Sequence, residues 1–445
     1  MLKRQKPNGI PENEFREKLK SLYEFLNPKW VKKQKSSNSI FTELMKREDT
    51  LASVELFVIA SAVDKFRKKG LYGEWLKEYL KLIKLRKSTD IVSRTFEITS
   101  AAMFDYEGQK VTLCDTGHPG FDFNIHLGEK KINVSCKKLL VSNAEKEFTK
   151  QCDEIYEFIL EKMKELQINA IQIILIHAPE KTVELTDLKL GIYRSLAHFK
   201  HYLGTDVIYE LNGCIIKISK IEVDNPEYCI FPHKQSLIFL SLKEYGQEEQ
   251  KRFEDLFRRA AKNVKKHSEE INENNINMIM IGLPPSISLK KAKNWLISKF
   301  ENEHSSITTV LLSRTIPVYE KDLSSSFVQT EICFVPNPKA KVPIYDFMPE
   351  GKSLVAYVPY GRVTEEEAKI NLVISNKTNQ TLHHLEDVYM YQKGQIYHLS
   401  KKETLEYVFP RQPGIHYHCV FKLFNKQEPM ILSAKYPPKE EFLIL

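Results

Sequence analysis

The sequence predicts an α/β protein with a helical N-terminal region and an all-β C-terminal domain. Three observations predict it. Apolar residues recur at helical spacing through the first hundred residues. Short β-rich runs parted by glycine-containing turns then lead to one long amphipathic helix and a continuous apolar run, an α-β-β-β-α-β order. Beyond residue 340 helical patterns nearly vanish. The expected divisions are 1–87 for the helical region, 88–205 for the α-β-β-β-α-β core, 206–340 for a second mixed α/β region, and 341–445 for a β-sandwich or barrel.

The helical region rests on NEFREKLKSLYEFL, SVELFVIASAVDKFRKKG and YGEWLKEYLKLIKL, with the basic stretch NPKWVKKQKSSNS read as a loop between the first two. A further helix, STDIVSRTFEITSAAMF, opens the core. KVTLCDT, GFDFNIHL and KKINVSCKKLL follow as a three-strand meander. Phe148, Cys152, Ile155, Ile159, Met163 and Leu166 form the apolar stripe of the long helix, and the AIQIILI run after it reads as a strand buried on both faces. Strand–helix–strand alternation continues through SLIFLSLKEY, QKRFEDLFRRAAKNVKKH and NMIMIGLP, then KKAKNWLISKF and TTVLLSRTIPVY. The Pro- and Lys-rich VPNPKAKVPIYDFMP marks a boundary, beyond which SLVAYVPYG, KINLVIS, DVYMYQKGQIYHLS and HYHCVFKLF read as strands. One internal echo stands out: INVSCKKL with the helix and AIQIILI after it resembles IFLSLKEY with its helix and NMIMIGL. Both carry Ser-x-Lys at a strand end.

With 445 residues, two to four domains are expected, and 42% hydrophobic residues suffice for real cores. The net charge of +8 is compatible with a nucleic-acid partner without demanding one. Seven dispersed cysteines lack zinc-ligand spacing and read as reduced thiols. No apolar run approaches the ~20 residues of a membrane helix, and the N-terminus lacks a signal-peptide pattern, so a cytoplasmic location is expected. P-loop, GxSxG and HExxH motifs are absent.

Chemistry concentrates in PGFDFNIHLGEKKINVSCKKL. Asp122 interrupts a β-run, where Asp is disfavoured. Ser135 and Lys137 alternate with Cys136, so they share a strand face while Cys136 points to the other. A hairpin of this length sets Asp122 beside that face, bringing an acid, a hydroxyl and an amine together.

This pattern resembles the PD-(D/E)xK, or restriction-endonuclease-like, nuclease superfamily. PGFDF matches its PD strand, and VSCKK matches its (D/E)xK strand with Ser135 in place of the acid. The resemblance spans residues 90–179. It implies an Mg²⁺-dependent (or Mn²⁺-dependent) endonuclease acting on DNA in restriction or antiviral defence, with a homo-oligomer or a defence-system subunit as partner. It also implies that Asp122 and Glu97 are metal ligands, with the backbone carbonyl of Cys136 as a third. Lys137 then orients the attacking water or offsets charge on phosphorus. Some members with Ser-x-Lys recruit a glutamate from the next helix, which designates Glu147, with Glu154 as the other choice. A fold that has lost the acid and acts in nucleic-acid binding or assembly is the alternative.

Elsewhere, Arg258, Arg259, Lys262 and Lys265 flank the apolar stripe of one helix and are candidates to track a phosphate backbone. His118, His126, His177, His416 and His418 read better as structural than as ligands.

Overall fold

The computed structural model describes residues 4, 6, 10–33, 39–70, 72–85, 88–106, 108–115, 120–168, 170–178, 184–202, 207–211, 214–219, 236–244, 247–268, 271–284, 287, 289–300, 304–319, 326–349, 352–357, 369–374, 388–392, 395–401, 406–408, 420–422, 429–432 and 443–445. Six helices come first: α1 (Glu12–Leu26), α2 (Pro28–Lys33), α3 (Ile40–Lys46), α4 (Thr50–Lys68), α5 (Gly73–Leu85) and α6 (Ser88–Phe104). The stretch expected as a basic loop contains α2, whose residues are all at least partly exposed. Ser39 and Asp49 start α3 and α4 as N-caps, accepting from the amides of Thr42 and Ala52 and satisfying donors that a helix end leaves open.

The meander follows as β1 (Lys110–Leu113), β2 (Phe123–Leu127) and β3 (Lys130–Lys138), then α7 (Asn143–Glu165) and β4 (Ala170–Ala178). Next come α8 (Leu185–His201), β5 (Val207–Leu211), β6 (Cys214–Ser219), β7 (Ser236–Glu244), α9 (Gln247–His267) and β8 (Asn275–Leu283). The chain continues through α10 (Leu289–Phe300), β9 (Thr309–Tyr319), β10 (Ser326–Pro336) and α11 (Ile344–Phe347). The remaining strands are β11 (Ser353–Tyr357), β12 (Lys369–Ile374), β13 (Val388–Gln392), β14 (Gln395–Lys401), β15 (Glu406–Val408), β16 (Val420–Lys422) and β17 (Pro429–Leu432).

Strand pairing corrects the expected core. β3 pairs in parallel with β8 rather than with β4, giving a six-stranded mixed sheet of order β1-β2-β3-β8-β9-β10. β4 instead pairs with β7 and β6 in a five-stranded sheet of order β17-β7-β4-β6-β5. The chain therefore leaves the first sheet after β3, builds most of the second, and returns through α9 to β8. Residues 88–205 do not close a sheet by themselves.

Both faces of the six-stranded sheet are covered. Ile132, Val134, Cys136, Met278 and Met280 face the N-terminal helices. Ile279, Ile281, Val310 and Leu312 face α9 and α10, where Phe253, Phe257, Ala260, Val264, Leu296 and Phe300 are buried. A strand covered on both sides has no polar alternation to show, and every residue of β8 is buried. A separate core joins α7, α8 and the second sheet through Ile155, Ile159, Ile192, Leu196, Ile216 and Ile218.

Of the region expected as a C-terminal sandwich or barrel, much lies outside the described residues. Its described strands fall into a two-stranded sheet (β11-β12), a four-stranded sheet (β13-β14-β15-β16), and β17 at the edge of the second sheet. Among the described residues no helix is long and apolar enough to cross a membrane.

Candidate functional site

Hairpin register creates the site. The β2–β3 ladder opposes Phe123 to Val134, and the Asp122 amide continues it by donating to the Val134 carbonyl at 2.8 Å. On the other side the Cys114 amide donates to the Asp122 carbonyl at 3.0 Å. Asp122 is thus fixed by its backbone between two strands, and its Oδ2 accepts from the Cys136 amide at 2.6 Å. A carboxylate held by a backbone N–H is a strong, directional arrangement.

Lys137 reaches the same place. Its Nζ lies 3.8 Å from Asp122 Oδ2, donates to Ser135 Oγ at 3.1 Å, and donates to the Cys136 carbonyl at 2.7 Å. The Cys136 carbonyl, expected as a metal ligand, therefore accepts from Lys137 in this state. Ser135 is fully buried, and Cys136 is packed towards the N-terminal helices, where burial pushes its thiol well above the usual range.

Glu97 approaches from α6. It is 9% exposed, and its Oε2 pairs with Arg94 Nη1 at 2.5 Å, one helical turn away. Burial raises its carboxyl to about 7, the nearby Asp122 charge contributes to the rise, and Arg94 and Lys137 oppose it. The mutual repulsion of Glu97 and Asp122 is what a divalent cation would relieve. Two carboxylates fit Mg²⁺, which keeps several waters and takes one or two acids. Among the described residues no group of three or more His, Cys, Asp or Glu could hold a metal.

The other expected residues are less close. Glu147 is exposed on α7, a helix that packs on α8, and among the described residues no hydrogen bond or ion pair links it to Asp122 or Lys137. Glu154 is exposed and pairs with Lys189 at 3.8 Å. The helix that leads from the second sheet back to β8, beside β3, is α9, and the buried acid there is Glu249 in its first turn. Glu249 Oε2 accepts from Arg252 at 2.9 Å, while its Oε1 is buried without a hydrogen-bond partner. Arg252 also donates to the Leu140 carbonyl at 2.8 Å, tying that turn to the end of β3. Sequence reasoning missed Arg94 and Glu249; an Arg-x-x-Glu spacing on one helix face was the available signal for Arg94.

Arg258, Arg259, Lys262 and Lys265 are all exposed on α9. Arg258 pairs with Asp255 at 2.7 Å and Arg259 donates to the Asp255 carbonyl at 3.2 Å, whereas Lys262 and Lys265 have no ion pair among the described residues. His126 meets Thr112 Oγ1 at 2.9 Å, a structural contact across β1 and β2. His118, His416 and His418 lie outside the described residues, as does the side chain of His177.

Comparison of the chain with family models, with curated proteins and with solved structures gives no match.

Proposed function

We propose that the chain is a metal-dependent nuclease with a restriction-endonuclease-like core formed by α6, β1, β2, β3, α9 and β8, and that it hydrolyses DNA phosphodiester bonds. One observation carries the reading: Asp122, clamped by the Cys136 amide, shares a site with Lys137 at 3.8 Å and with the buried Glu97, whose carboxyl its charge helps to raise. When bound, Mg²⁺ or Mn²⁺ would polarise the phosphoryl oxygen and supply a hydroxide at neutral pH. Asp122 and Glu97 would hold that cation. The Cys136 amide keeps Asp122 Oδ2 aimed, which leaves Oδ1 as its open donor. Lys137, parked on Ser135 Oγ and the Cys136 carbonyl, places a positive charge where negative charge grows on phosphorus. The α9 cations supply a phosphate-binding surface near the same sheet.

The test is plasmid incubated with the purified chain and Mg²⁺ or Mn²⁺, beside Asp122→Ala. Metal-dependent nicking or linearisation by the wild type alone is expected; equal behaviour of the two removes the proposal. A second reading has its own observation. Ser135 carries no charge, and the Cys136 carbonyl is occupied by Lys137, which suits a site that has lost catalysis and kept a DNA-binding or assembly role. DNA binding by the wild type without cleavage under any divalent cation selects it.

A further inference from the structure

A second cluster of buried charge lies at the β3–β8 strand ends, against α4 and α6. Glu55, fully buried in the apolar α4, accepts from three consecutive backbone amides of a distant segment. The Leu443 amide donates at 3.0 Å to both carboxylate oxygens, and the amides of Ile444 and Leu445 donate to Oε1 at 2.7 and 2.9 Å. Successive amides converging on one anion form a nest. Here the anion belongs to the fold and the nest to the segment laid on it.

The segment is held at a second point. Lys138 donates from Nζ to the backbone oxygen of Leu445 at 2.6 Å, with its ammonium 5.3 Å from the centre of the Phe96 ring. Leu445 packs on Val54 and Val58, and Ile444 is 3% exposed. A remaining cavity of about 50 Å³ is lined by Phe96, Met103, Lys138, Met280, Ile444 and Leu445 among others. Close packing reaches the strand itself, since a Cβ on Gly282 would lie 2.7 Å from both Lys138 Cδ and the Phe96 ring.

Without the segment, a carboxylate and an ammonium would remain in this apolar pocket stripped of these partners, which is costly. The recognition is of main chain at Glu55 and Lys138 and of apolar side chains between them. We infer that the pocket between α4, α6 and the β3–β8 strand ends is a peptide-binding site for a short apolar segment, and that Leu443–Leu445 is its intramolecular ligand. Lys138 adjoins Lys137, and Phe96 adjoins Glu97, so the occupied site clamps both elements that carry the nuclease candidates. The inference stands apart from any nuclease activity.

Two measurements test it. Amide exchange in the whole chain should show the amides of Leu443, Ile444 and Leu445 strongly protected, and Glu55→Gln should speed their exchange at least about tenfold, the factor expected for one charge-assisted hydrogen bond. Unprotected amides in the wild type would overturn the inference, and that arm needs no substitution. In the second measurement Ile444→Asp expels the segment by placing a charge in a buried position. A fluorescent Phe-Leu-Ile-Leu peptide should then bind the Ile444→Asp chain. It should bind the wild type, Ile444→Asp/Glu55→Gln and Ile444→Asp/Lys138→Met at least about tenfold more weakly. Equal binding by all four, or by none, would overturn it.

Discussion

The two sheets carry the same short motif at the same place and differ in what faces it. Ser135-Cys136-Lys137 closes β3, and Ser241-Leu242-Lys243 lies at the end of β7; after each strand the chain crosses to the other sheet. In the first sheet the neighbouring hairpin strand delivers Asp122 to Lys137 at 3.8 Å. In the second, the backbone partners of Lys243 are Ala178 and Met430, and those of Ser241 are Ile176 and Leu432. The residue set opposite a Ser-x-Lys thus comes from the neighbouring strand, and the neighbour is chosen by topology.

The sharpest way to break this comparison is to remove each lysine. Lys137→Ala should lower metal-dependent cleavage by roughly 10²–10³-fold, the loss expected when one group stabilising developing charge is removed. Lys243→Ala should leave the rate within about twofold, because its register partners Ala178 and Met430 are apolar. Plasmid-cleavage time courses on both variants check this, and equal losses would dissolve the distinction between the sheets.

The next effect concerns the helix that returns the chain to the first sheet. Phe253 is fully buried between α9 and that sheet, against Trp295 at a ring separation of 5.8 Å. Phe253→Ala should cost about 3–5 kcal/mol in urea unfolding through lost burial and the cavity left behind. A cost near zero would mean that α9 is not the covering helix of β3 and β8.

A smaller effect separates the acid pair from ordinary surface acids. The Glu97 carboxyl is raised from 4.5 to about 7 by burial and by Asp122. Between those values the folded chain binds more protons than the unfolded one, so stability should fall as pH rises from about 4.5 to 7. Glu97→Gln should flatten that fall and stabilise the metal-free chain at pH 8 by on the order of 3 kcal/mol. Denaturation at pH 5 and pH 8 for both chains measures it; parallel pH profiles would show that Glu97 is not strained by burial beside Asp122.

The smallest effect is on DNA affinity. Exchanging Arg258, Arg259 and Lys262 for Glu should weaken binding of all sequences alike and reduce the log–log salt slope by ~0.9 for each phosphate that is no longer neutralised. An unchanged slope and affinity would make this face of α9 a solvated surface. The Asp255 partner of Arg258 makes Lys262 the stronger single contributor, because it has no such competitor among the described residues.

The sequence by itself determined the local parts. Helical spacing located α1, α4, α5, α6, α7 and α9, because it records which side of a helix is buried, and short β-rich runs between glycine-containing turns located β1, β2 and β3. It also determined that Asp122 meets Lys137, since a hairpin's register is set within a few residues of its turn. Only the tertiary structure decided that β8, rather than β4, lies beside β3. AIQIILI is apolar but for Gln172 and MIMIGL is apolar throughout, and such runs lack the alternation that would name a neighbour. What marks β8 is polar: Asn133 donates to the side chains of Asn275 at 2.8 Å and Asn277 at 3.0 Å, and a buried amide needs such partners. The lone Glu55 in the apolar run of α4 is the same kind of signal. Its partners lie 388 residues and more along the chain, a separation at which no local pattern carries information and only the folded chain pairs the groups.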